Sequence, residues 1–72
     1  MDITTVEFGK RYYHLNDDMK SWCVANVGPG GWTSTTPADW DVRNWAMFTM
    51  FGNTTFYFKN EHDATVFALR WK

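Results

Sequence analysis

Cysteine is almost missing from this chain: Cys23 is the single thiol in 72 residues. One cysteine excludes a disulfide framework, and a lone thiol fits a reducing, cytosolic setting. No Cys/His pair has zinc-finger spacing, so no structural metal is expected. Charge of one sign is also missing. The seven basic residues are scattered, Lys10-Arg11 is the only adjacent pair, and the formal net charge is −1. That pattern leaves no electrostatic footprint for duplex nucleic acid. No apolar run reaches the length of a membrane span, and MDITTVEFGKRYY has neither the basic start nor the apolar core of a signal peptide. The expected location is the cytoplasm. Internal repeats and low-complexity segments are absent too.

Aromatic residues are what the chain has in excess: five Trp, six Phe and three Tyr. A chain this short forms one small domain, spanning residues 1–72, with little core to stabilise it. Each buried aromatic removes roughly 150–250 Å² from water, enough for a few to hold such a domain together. The same side chains left outside would form an apolar patch that pairs with a second copy.

Residues 3–8, ITTVEF, are rich in β-branched types and predict a strand ended by Gly9. Asn16 predicts a helix N-cap, followed by Asp17 and Asp18 at the positive end of the helix dipole. Leu15, Met19, Trp22, Cys23 and Val27 recur at helical spacing, and Gly28-Pro29 stops the run, so a helix is expected over Asp17–Val27. Gly, Pro, Ser and Thr then dominate to Asp41, which predicts a long loop carrying Trp32 and Trp40. Val42–Phe51 and Thr54–Lys59 predict two strands joined by a turn at Gly52-Asn53. The first has two apolar faces and is expected to be covered on both. Asn60 predicts the cap of a last helix with Ala64, Phe67, Ala68 and Trp71 as its apolar stripe, widened by Val66 and Leu69. Arg70 and Lys72 suit its negative end.

The fold class expected from this order is α+β: β-α-β-β-α, an antiparallel sheet with helices on one face, like a ferredoxin-like plait lacking its last strand. The missing strand leaves an open edge, and an open edge invites self-association.

Phe56 to Ala64 resembles the strand-to-helix junction of RNA-recognition motifs. Aligned on Phe58, the octamer that reads RNA would start at Phe51, where a basic residue belongs, and would carry Asn53 and Thr55 where stacking aromatics belong. The packing residues match and the RNA-reading ones do not. His14 and His62 are brought together by no argument from spacing. Cys23 lies mid-helix, where nothing lowers its pKa. Asp17-Asp18 is explained by the helix dipole. Asp39 and Asp41, flanking Trp40, are the remaining acidic pair. No catalytic residue, metal ligand or cofactor is predicted.

The segments KNEHDATVFALRW and MKSWCVANVG together resemble small proteins of unassigned activity encoded by tailed phages of marine bacteria. The likeness runs over Met19–Gly28 and Phe51–Trp71. It implies an accessory protein in the cytoplasm of an infected bacterium, and no functional residues carry over with it. The expectation is a non-enzymatic protein, not an enzyme, that binds a host or phage protein as a homo-oligomer. Trp32, Trp40, Tyr12 and Tyr13 are its candidate partner-binding residues. The alternative is single-stranded nucleic-acid binding by aromatic stacking through the same residues.

Overall fold

The computed structural model describes residues 3–34 and 37–72. Thr35 and Thr36, part of the expected loop, lie outside the described residues. Strand β1 (Thr4–Phe8) leads through a 3₁₀ helix (Lys10–Leu15) directly into helix α1 (Asn16–Asn26). Three strands follow, β2 (Gly30–Trp32), β3 (Trp45–Met50) and β4 (Asn53–Phe58), and helix α2 (Glu61–Trp71) comes last. The domain is therefore α+β, with a four-stranded sheet in the order β1-β4-β3-β2.

Two expectations about the sheet are corrected. A short strand, β2, forms inside the predicted loop, so the order is not β-α-β-β-α. Because β2 runs parallel to β3, the sheet is mixed rather than antiparallel. The cause is local packing around Trp45. Its indole Nε1 donates to Gly28 O at 2.9 Å, and Asn44 Nδ2 donates to Val27 O at 2.9 Å. The Asn44 N–H donates to Pro29 O at 2.7 Å. These bonds hold the segment after α1 against β3. Gly30 permits the close approach, since a Cβ there would collide with the Trp45 carbonyl.

The hairpin is also shifted. Met50 pairs with Asn53, so the turn is Phe51-Gly52, one residue earlier than Gly52-Asn53. Phe51 takes φ 53° and Gly52 φ 84°, the two positive values a type I′ turn requires. The register explains the choice. It sets Trp45 opposite Phe58 and Met47 opposite Phe56, whereas a turn at Gly52-Asn53 would set Trp45 opposite Asn60. Burying an aromatic pair is worth several kcal/mol, and a left-handed Phe costs about 1–2 kcal/mol.

Both helices lie on one face of the sheet, over Val6, Phe8, Trp45, Met47, Phe56 and Phe58. Phe67 of α2 sits at the centre of this core. Its ring centroid lies 4.7 Å from Phe56, 5.0 Å from Phe58, and 5.7 Å from both Phe8 and Trp22. Met19 and Cys23 of α1 are fully buried beside it. The predicted α1 stripe is thus its packing face. The α2 stripe is narrower than predicted: Leu69 is 82 % exposed and Val66 is exposed as well. Asn16 is not a cap. The 3₁₀ helix before it gives it helical angles, and its Oδ1 accepts a hydrogen bond from Thr54 Oγ1 at 3.1 Å. Asn60 occupies the N-cap position of α2 with extended angles and no side-chain capping bond.

Trp40 and Ala46 are buried outside the helix-side cluster. Ala46 points to the opposite face, by strand alternation from Trp45. That face is covered only in part: Phe48 and Tyr57 are half-buried and Met50 is exposed. The expectation of cover on both sides of this strand therefore holds at Trp45–Met47 and fails toward the hairpin tip.

Candidate binding cleft

The aromatic residues singled out by the sequence separate into two kinds. Tyr12 is half-buried and packs edge-on against Phe8, with ring centroids 5.2 Å apart. Trp40 is 8 % exposed and anchors its loop. Tyr13 and Trp32 are 54 % and 61 % exposed, and they line one cleft of about 320 Å³.

Three elements build that cleft. The 3₁₀ helix supplies Tyr13 and His14, and the first turns of α1 supply Asn16, Asp17 and Lys20. Strand β2 supplies Trp32, and Met47 of β3 forms the buried floor. Trp32 reaches the cleft because it pairs with Met47 and so shares the helix-side face. It stays exposed because β2 is the edge of the sheet. Its main chain is at that edge as well. Thr33 N–H donates to Met47 O at 2.8 Å, so alternation turns the N–H and C=O of Trp32 away from β3. The cleft therefore offers two large aromatic rings, one imidazole, one carboxylate, one ammonium group and a strand edge. Asn16, Asp17 and Lys20 were legible in sequence only as helix residues, since nothing local places them opposite Trp32.

The remaining candidates fall elsewhere. Cys23 is buried, and its thiol is pushed up to about 12 from an ordinary value of 9.0, by burial first and by the Asp63 carboxylate second. It is a protonated core residue at neutral pH. Asp39 faces Arg43, with Oδ1 to Nε at 3.1 Å, and so has a cation of its own. Among the described residues no group of three or more His, Cys, Asp or Glu side chains is placed to hold a metal ion. In β4, Phe56 and Phe58 face the core, while Asn53, Thr55 and Tyr57 face away from the helices. Of the two positions that would stack bases in an RNA-recognition motif, one is Asn and the other Thr. No described helix is long and apolar enough to cross a membrane. No protein-family model, curated protein or solved structure matches this chain.

Proposed function

We propose that this chain is a non-enzymatic accessory protein that acts as a homo-oligomer and binds another protein through the Tyr13–Trp32 cleft. In the setting implied by the phage-protein resemblance, the partner is a host or phage protein. The observation that carries this reading is the pair of large aromatic side chains, each more than half exposed, on two elements flanking one cleft. Trp and Tyr are the residue types that dominate binding energy at protein interfaces. The adjoining outward backbone of Trp32 suits an extended segment that adds beside β2 while inserting an apolar side chain between the rings. Asp17 and Lys20 favour a segment carrying charges of both signs.

The test is affinity capture from bacterial lysate with the unmodified chain, Trp32→Ala and Tyr13→Ala in parallel. Each variant should keep its circular dichroism spectrum and bind the captured protein about tenfold or more weaker, the loss typical of an interface hot spot. Equal capture by Trp32→Ala would remove the cleft from the mechanism. A second reading rests on Lys20 standing beside the same two rings: the rings stack single-stranded bases and Lys20 meets a phosphate. It predicts Trp fluorescence quenching by an oligothymidylate that weakens from 50 to 200 mM salt and vanishes in Trp32→Ala.

A further inference from the structure

The edge opposite the cleft is β1, and no described strand pairs with its outer side. Which of its groups face outward follows from the ladder. Lys59 N–H donates to Asn44 O at 3.0 Å, so the odd-numbered residues of β4 bond to β3. The even-numbered ones, Thr54, Phe56 and Phe58, then bond to β1 through their partners Phe8, Val6 and Thr4. The N–H and C=O groups of Thr5 and Glu7 are left pointing away from the sheet.

These groups are self-complementary. A second β1, antiparallel and related by a two-fold axis at Val6, sets Thr5 opposite Glu7 of the other copy, twice. Each such pair exchanges both of its main-chain hydrogen bonds. Within Thr4–Phe8, the registers centred on Thr5 or Glu7 leave fewer outward groups paired, and the second also sets two carboxylates face to face. The register centred on Val6 avoids both faults.

Helix α2 carries a matching pattern above the same edge. It packs over β1 and β4. Glu61, Thr65, Ala68 and Lys72 stand at i, i+4, i+7 and i+11, which is one stripe of a helix. The stripe lies toward β1, because Lys72 Nζ sits 5.6 Å from the Phe8 ring centroid. Glu61, Thr65 and Lys72 are exposed. The Thr65 hydroxyl already donates to Glu61 O at 3.0 Å, so it needs no further partner. The same two-fold axis runs the two α2 helices antiparallel. Glu61 then meets Lys72 of the other copy, and Thr65 meets Ala68. A helix seated between β1 and β4 lies about 5 Å from the axis, so the two helices are about 10 Å apart, a normal packing distance.

We infer that the chain forms a two-fold homodimer in which β1 pairs with β1 and α2 packs beside α2, giving one continuous eight-stranded sheet. This specifies the homo-oligomer named above. The two Tyr13–Trp32 clefts end up at the far edges of the joined sheet, so the dimer is bivalent. A partner with two copies of the recognised segment gains avidity without any new contact.

Light scattering and amide exchange on the intact chain test the inference. At about 100 µM the mass should be about 17 kDa, twice the 8.5 kDa chain. The Thr5 and Glu7 amides should exchange slowly at that concentration and lose protection on dilution, while the Val6 amide stays protected throughout. Thr5→Pro removes only an outward N–H, a position where an edge strand tolerates proline, and should weaken the dimer about tenfold or more. Glu61→Lys turns two attractive contacts into repulsive ones and should weaken it about fivefold, with Glu61→Lys/Lys72→Glu restoring most of the loss. A monomer at 100 µM overturns both this inference and the oligomeric part of the proposed function. A dimer whose Thr5 and Glu7 amides exchange freely overturns the β1 interface alone and leaves oligomerisation standing.

Discussion

Phe51 is the residue whose conformation conflicts most with its chemistry. Its φ of 53° is unfavourable for a bulky side chain, and its ring is 84 % exposed. It therefore adds strain and no packing. Phe51→Asn supplies the Asn-Gly pair that a type I′ turn favours and should stabilise the fold by about 1 kcal/mol, read from the urea midpoint. Cys23 shows the converse, a good fit whose cost emerges only at high pH. Its folded-state pKa is raised, so the folded form holds a proton that the unfolded form has lost. The sign follows: the stabilisation is complete below the unfolded value near 9 and is lost as pH rises toward about 12. Unfolding free energy should fall by up to ~1.4 kcal/mol per pH unit across that window, and the slope should be shallower in Cys23→Ala. Denaturant titrations of both proteins at pH 8 and pH 10.5 measure the difference.

Among the elements, β2 depends most on its neighbours. Two of its three residues are Gly, a type depleted in strands, and Trp32 alone favours one, so the segment has no alternation of its own. The strand exists because Gly30 fits against Trp45 and because Asn44 and Trp45 tie down the residues after α1. Gly30→Ala should detach β2 and release Trp32 from the cleft while the β3–β4 hairpin and α2 persist. Amide exchange should then show protection lost at Gly31 and Thr33 but kept at Tyr57. Unchanged protection at Thr33 would show that the Trp45 contact can yield. The longer elements depend less on context. The stripe of α1 and the alternation of β3 and β4 were readable in advance, because their buried positions recur with the period of the element. Boundaries and turns were less readable. The hairpin turn moved by one residue to serve pairing between distant side chains, and Asn16 lost its cap role to a 3₁₀ helix that has no periodic signature.

At the scale of the whole molecule, the helices and the core share one face, and the two edges of the sheet, β2 and β1, lie on either side of them. The cleft edge brings together Tyr13, Lys20 and Trp32, which no spacing in the chain connects. The β1 edge brings together the outward backbone of Thr5 and Glu7 and the stripe of α2. Of the four aromatic candidates, the chain's own pattern could not separate Tyr13 and Trp32 from Tyr12 and Trp40. Side-chain exposure depends on what packs above each residue, and that is settled by the tertiary arrangement. Composition and periodicity by themselves determined the α+β class, both helices, three of the four strands and the aromatic character of the core, since each rests on burial repeating along a local element. Tertiary structure alone decided the mixed sheet, the hairpin register and the position of the cleft, because each depends on contacts between residues far apart in the chain, above all those of Trp45.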